Sequence, residues 1–168
     1  MPIPWQRANV PGWVQAKELK VEDLVNLITK SEKPILIISK FEEFEEEIAK
    51  GLIEKLAGKA TVIFTPWAMK HYRGKIQPDA MFGLTEITQR LTNGWTGPEG
   101  DGIPYDLIMY FGSYYYHQSQ MHSALKHFLP KTPSVSLNRY YSPNASYSFS
   151  NFTEKRWINS MNKVLKAL

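Results

Sequence analysis

The sequence predicts an α/β protein: a parallel sheet with helices on both faces, three layers in all. Three observations carry that expectation. Short apolar or β-branched runs alternate with amphipathic helical stretches along most of the chain. The runs at residues 35–38 and 107–111 are almost wholly apolar, as strands covered on both faces must be. The chain also has 168 residues, enough for one full core and short for two domains. The expected division is an arm over residues 1–18 and a single domain over residues 19–168.

The arm carries Pro2, Pro4 and Pro11 among Ile3, Trp5, Val10 and Trp13, a spacing that blocks helix and discourages a central strand. Two tryptophans would not stay in water on a free arm, so the segment either folds back over its own core or lies on another subunit. Val21, Leu24, Val25 and Ile28 then recur at helical spacing, and Lys33-Pro34 ends that helix. Residues 35–38 form the first strand. Phe41, Phe44, Ile48, Leu52 and Leu56 make the next helical stripe, closed by Gly58. Residues 61–65 read as the second strand, and residues 79–92 as a helix with Leu84, Ile87 and Leu91 inward. Residues 107–111 form the third strand, Gly112 a sharp exit, and the following helix turns Met121, Leu125 and Phe128 to the core. A weaker fourth strand covers residues 133–138. The terminal helix, with Trp157, Ile158, Met161, Val164, Leu165 and Leu168 on its stripe, starts near Asn151 or Thr153 as N-cap.

Composition narrows the functions. The chain holds no cysteine, so it forms no disulfide and supplies no thiolate for an iron–sulfur cluster. A net charge of +4 without a dense Lys/Arg stripe argues against nucleic acid. No apolar run is long enough to span a bilayer, and the first residues lack a signal-peptide pattern, so a cytoplasmic protein is expected.

The residues give little support to catalysis. After the first strand, where a dinucleotide fold needs glycines, the chain has Ser39-Lys40-Phe41 followed by Glu42, Glu43, Glu45, Glu46 and Glu47. Those glutamates suit the positive end of a helix and would repel a pyrophosphate. Lys70, His71, Arg73 and Lys75 after the second strand are a better anion candidate, weighed against an ordinary solvated loop. His117, His122 and His127 are five residues apart, so each is rotated by about 140° from the last and no metal-binding pair shares a face. Ser113 has no assignable base, and no nucleophile elbow occurs. What remains is aromatic surface: Tyr114, Tyr115 and Tyr116 directly after a strand, with Trp5, Trp13, Trp67, Trp95, Tyr140 and Tyr141 in the arm or in expected loops. In open α/β sheets the carboxyl ends of the strands hold ligands and partners. Residues 112–116 are therefore read as a docking edge, beside a crevice near Thr65, Pro66, Gly112 and Ser113.

The arm residues Ile3-Pro-Trp-Gln and Ala8-Asn-Val-Pro-Gly, the Gly83-Leu-Thr-Glu-Ile-Thr block with Trp95-Thr-Gly, the run from Tyr105 through Gly112, Ser123-Ala-Leu-Lys-His-Phe and Arg139-Tyr-Tyr-Ser-Pro-Asn-Ala stand in an order and spacing that resemble one family. That family is the epsilon subunit of the archaeal acetyl-CoA decarbonylase/synthase complex, and the resemblance covers nearly the whole chain. It implies a Rossmann-like fold of the kind found in NAD/FAD-binding (DHS-like) domains. It further implies an α2ε2 assembly in which a large carbon monoxide dehydrogenase alpha subunit carries the nickel–iron and iron–sulfur centres. This chain would stabilise that assembly without catalytic or metal-ligating residues of its own. The partner contacts expected on this basis are Trp5, Gln6, Val10, Pro11, Tyr114, Tyr115 and Tyr116. The alternative is a module that binds FAD or a nucleotide at Thr65, Pro66, Gly112 and Ser113 and assists electron transfer from CO oxidation.

Overall fold

Strands bounded by prolines and glycines alternate with amphipathic helices, and the computed structural model describes residues 3–5 and 12–168 of the resulting domain. In chain order these are β1 (Lys17–Glu18), α1 (Val21–Lys30), β2 (Pro34–Ile38), a 3-10 turn (Glu43–Glu45) leading into α2 (Glu46–Leu56), β3 (Thr61–Phe64), α3 (Pro66–His71), β4 (Ala80–Met81), α4 (Leu84–Thr92), β5 (Leu107–Phe111), α5 (Tyr115–Phe128), β6 (Ser134–Ser136), β7 (Tyr147–Ser148) and α6 (Glu154–Ala167). The seven strands make one sheet in the order β1-β7-β6-β5-β2-β3-β4, every pairing parallel. The sheet is covered on both faces, which is the three-layer Rossmann-like architecture.

Strand alternation divides the core in two. Leu36, Ile38, Val62, Phe64, Leu107, Met109, Phe111 and Val135 pack against α1, α2 and α6, where Trp157 is fully buried and donates its indole N–H to the Leu137 carbonyl at 2.9 Å. Ile35, Ile37, Ile63, Ile108 and Tyr110 face α4 and α5. The amino end of β5 is fixed by Asp106, whose carboxylate accepts the backbone N–H groups of Glu32 at 2.7 Å and Lys33 at 3.1 Å and the Ser31 hydroxyl.

The boundaries differ from the sequence reading in instructive places. The helix expected over residues 79–92 begins only at Leu84. Asp79 instead accepts the Val62 N–H at 2.7 Å with its carboxylate, and the following residues pair with β3. The segment after the second strand is helical, not a loop: Pro66 occupies the first turn of α3, where its missing N–H costs nothing. Phe128, expected inward, is 73% exposed because it lies in the last turn of α5, beyond the covered face. That inward face carries Gln118, Ser119 and His122 beside Met121 and Leu125. Strands β1, β4 and β7 span two residues each, too short for any periodicity to reveal. The terminal helix is capped by Thr153, whose hydroxyl accepts the Arg156 N–H at 3.3 Å.

From β2 the chain moves outward to β3 and β4, then returns to build β5 on the other flank. The exits of β2 and β5 therefore lie side by side, at the switch point of the sheet. They are laced together there. Ser39 N–H donates to the Phe111 carbonyl at 2.9 Å and Ser113 N–H to the Lys40 carbonyl at 2.5 Å. Gly112 has φ +79, and a Cβ at that position would overlap the Lys40 carbonyl oxygen and lie 2.9 Å from its carbon. Gly58 has a similar φ of +76 but nothing within 4 Å of the same atom. Gly112→Ala should therefore destabilise the fold by about 2–4 kcal/mol, whereas Gly58→Ala should lose only about 1 kcal/mol, the backbone term alone. Urea unfolding of the two variants measures the difference. Equal losses would show that the close approach at Gly112 carries no weight.

Candidate functional site

The site is built where β2 and β5 leave the sheet. Gly112 and Ser113 both have positive φ, +79 and +83, and serine in that region is uncommon. The turn they make sets Tyr114 as the residue preceding α5 and throws its side chain outward. A polar ring holds the turn from beneath. Gly112 N–H donates to Asn138 Oδ1 at 2.8 Å, and the Gly112 carbonyl accepts Gln118 Nε2 at 3.0 Å and Asn138 Nδ2 at 3.2 Å. Gln118 Oε1 in turn accepts the Ser136 hydroxyl at 2.9 Å.

Above this ring lies a cavity of about 220 Å³, walled by the segments at residues 40–42, 112–115 and 138–140 with Glu45. Lys40, Arg139 and Glu45 in its wall already have partners within the chain. Lys40 donates to the Tyr114 hydroxyl at 2.9 Å and sits 4.8 Å from that ring, a contact that raises the lysine pKa. Arg139 lies 3.4 Å from Glu154 and 4.4 Å from the Tyr140 ring. Glu45, whose carboxylate accepts the Glu42 N–H at 2.8 Å, has its pKa raised by burial.

The expected site residues fall in different places. Gly112 and Ser113 line the cavity, whereas Thr65 and Pro66 stand at the end of β3, beyond Ser39. Thr65 is buried, donates its N–H to the Ile38 carbonyl at 3.0 Å and reaches the Ser39 hydroxyl at 3.5 Å. The three tyrosines separate. Tyr114 and Tyr116 are exposed and stacked, 5.9 Å apart with rings inclined by 13°. Tyr115 turns inward and donates its hydroxyl to the Tyr141 carbonyl at 2.6 Å. Trp5 stacks on Tyr140 at 4.1 Å, so this part of the arm rests on the lip of the cavity, and the Ile3 carbonyl accepts Asn151 Nδ2 at 2.7 Å. Gln6, Val10 and Pro11 lie outside the described residues.

The site does not fit a pyrophosphate-bearing cofactor. The cavity is smaller than the roughly 300–1,000 Å³ typical of ligand pockets. The Ser39, Gly112 and Ser113 N–H groups are spent on Phe111, Asn138 and Lys40, and Glu42 and Glu45 face the space. The second anion candidate, at Lys70 to Lys75, is also committed in part: His71 meets Glu46 at 2.9 Å and stacks on Trp67.

Asn138 and Gln118 carry no functional expectation from sequence, and Arg139 enters there only at the head of a family motif. One signal was available: Gln118, Ser119 and His122 share the helical face of Met121 and Leu125, so polar groups on a core-facing stripe had to find partners. The three helix histidines separate in space as well. His117 pairs with Thr85 at 3.1 Å, His127 is exposed, and His122 is fully buried. Nδ1 of His122 meets the Ser134 hydroxyl at 3.0 Å, and Nε2 finds no hydrogen-bond partner among the described residues. No group of acidic or histidine side chains that could hold a metal occurs among the described residues, and none of the described helices is long and apolar enough to cross a membrane.

Known proteins are similar to this sequence along nearly its whole length. Residues 1–165 match the family model described as CO dehydrogenase beta subunit/acetyl-CoA synthase epsilon subunit. Similar proteins include the acetyl-CoA decarbonylase/synthase complex subunit epsilon of Methanothermobacter thermautotrophicus, 28% identical over 96% of this chain and 94% of that protein. The subunit of the same name from Methanothrix soehngenii is 29% identical over 99% and 91%. Epsilon subunit 1 of Archaeoglobus fulgidus is 30% identical over 92% and 85%.

The buried histidine makes stability depend on pH. Burial first, and the nearby Lys126 second, lower the His122 pKa to about 3. The unfolded chain therefore takes up a proton near pH 6.5 that the folded chain refuses. Stability contributed by neutral His122 is present above pH 6.5 and drains away as pH falls toward 3, by as much as a few kcal/mol. His122→Phe should flatten that part of the stability–pH curve in denaturant titrations. An unchanged curve would show that other groups dominate acid sensitivity.

Proposed function

This chain belongs to the CO dehydrogenase beta subunit/acetyl-CoA synthase epsilon subunit family, and on that basis we propose that it is a non-catalytic subunit of an acetyl-CoA decarbonylase/synthase complex. Its role is to hold the large carbon monoxide dehydrogenase alpha subunit in a working α2ε2 assembly, in the cytoplasm. The chain has no cysteine, so the nickel–iron and iron–sulfur chemistry of CO oxidation belongs to that partner.

The observation that carries this reading is the outward-facing Tyr114–Tyr116 pair at the carboxyl end of the sheet. Two tyrosines over half exposed, stacked on each other and raised on a strained turn, contribute little to their own core. Rigid aromatic surface of this kind supplies large contact area at low entropy cost when a partner covers it. Trp5, on the Tyr140 side of the same mouth, extends the surface. Tyr115 acts within the chain instead, since its hydrogen bond to Tyr141 fixes the start of α5 against the loop before β7.

Co-expression with the alpha subunit should give a stoichiometric complex on size-exclusion chromatography. Separate elution of the two chains at micromolar concentration would overturn the proposal. Tyr114→Ala with Tyr116→Ala should weaken the complex by about 10–100-fold, as expected for two anchors at about 0.7–1.4 kcal/mol each. Tyr115→Phe should instead lower the stability of the isolated chain by about 1 kcal/mol and spare association. The flavin alternative is checked by titrating FAD into the chain, alone and with its partner, while following flavin fluorescence. An unchanged signal in both cases discards it.

A further inference from the structure

A second surface lies at the opposite end of the sheet. Residues 12–15 of the arm, the last turn of α5 with the loop at 129–133, and the segment at 144–147 enclose a groove of about 790 Å³. These segments precede β1, β6 and β7, so the groove opens at the amino ends of the strands, away from the tyrosine pair.

Two properties set the groove apart from the crevice. The first is its charge. Lys17, Lys126, His127 and Lys131 line it, and among the described residues no aspartate or glutamate does, whereas the crevice sets Glu42 and Glu45 against Lys40 and Arg139. The second is an apolar wall held in place by directional bonds. Lys126 Nζ donates to the Val14 carbonyl at 2.7 Å and the Pro143 carbonyl at 3.1 Å. Ala16 N–H reaches the same Pro143 carbonyl at 3.0 Å, and the buried Tyr141 hydroxyl donates to the Ala16 carbonyl at 2.8 Å. The strap is thus tied down on both sides, yet the Trp13 side chain stands wholly in solvent and Val14 is 72% exposed. Large apolar side chains displayed together from an anchored backbone mark contact surfaces.

We propose that this groove docks an extended acidic segment of another protein. An apolar side chain of that segment packs on Trp13 and Val14, and its carboxylates meet Lys17, His127 and Lys131. Lys126 is a positioning residue, since two of its three donors already hold the strap. Single exposed ion pairs contribute little, but several cations of one sign, with no opposing charge, steer an acidic partner and make its binding salt-dependent. Two outward lysines and a histidine beside one indole suit a peptide better than a nucleic-acid backbone, which demands a denser basic stripe. This inference is independent of which subunit covers the tyrosine pair.

The test uses the full chain and a fluorescein-labelled synthetic octapeptide, Glu-Asp-Glu-Phe-Glu-Asp-Glu-Gly, followed by fluorescence anisotropy. Binding is expected at about 50 mM salt and should weaken by about tenfold or more at about 300 mM. Trp13→Ala, and separately Lys17→Glu with Lys131→Glu, should each reduce affinity by about tenfold or more without moving the urea midpoint, because these side chains are exposed. Tyr114→Ala with Tyr116→Ala should leave peptide binding unchanged. Absence of binding, equal binding of a lysine-substituted peptide, stronger binding of an equally charged oligothymidylate, or indifference to the groove variants would each overturn the proposal.

Discussion

The close approach of two strand exits is the constraint on which the functional end of this protein depends. Gly112 passes the Lys40 carbonyl at a distance no side chain would allow, and the neighbouring amides close on Phe111 and Lys40. In a nucleotide-binding sheet the same two exits splay apart, so that a glycine-rich turn can wrap a phosphate. Here the Ser39, Gly112 and Ser113 N–H groups are used internally and the space above them is small. What the turn offers outward is aromatic surface, because the positive-φ pair at Gly112 and Ser113 delivers Tyr114 and Tyr116 to solvent. One steric fact thus both narrows the crevice and raises the tyrosine pair.

A second consequence concerns how α5 is held. The face of the sheet beneath α1, α2 and α6 is packed with aliphatic and aromatic side chains, a contact that depends on shape and area. The layer between α5 and β6 is different. Ser134 meets His122, Ser136 meets Gln118, and Asn144 meets Ser119, so hydrogen bonds with narrow geometry specify the position of this helix. The same helix begins at the tyrosine turn and ends at the basic groove. A helix docked by directional bonds presents both ends in a defined orientation, as the two contact surfaces proposed at its ends would require.

Much of the fold was legible because burial on both faces imposes a visible pattern. The runs at β2 and β5 had to be apolar almost throughout, and α1, α2, α4 and α6 had to carry a 3.6-residue stripe. The marginal pieces escaped for equally physical reasons. A two-residue strand such as β4 has no period, and it exists because Asp79 engages Val62 and draws the next residues onto β3. Phe128 follows the helical stripe but falls past the covered face, since periodicity records direction around an axis and not how far a neighbour extends.

The site was legible in part. Sequence alone located the carboxyl end of β5, weighed the tyrosine run as contact surface, and read the glutamates after β2 as hostile to phosphate, since residue chemistry and strand polarity are both written in the chain. It could not divide the three tyrosines, because one turn of backbone at Gly112 and Ser113 decides which rings face out. Nor could it bring Asn138 and Gln118 under that turn, or Lys126 against Val14, pairs separated by 20 and 112 residues. Periodicity encodes which face of an element is buried, and so the class of fold follows from local sequence. Which distant polar groups meet is fixed only when the strands take their order and register, and that decided both the closed mouth of the crevice and the anchored wall of the groove.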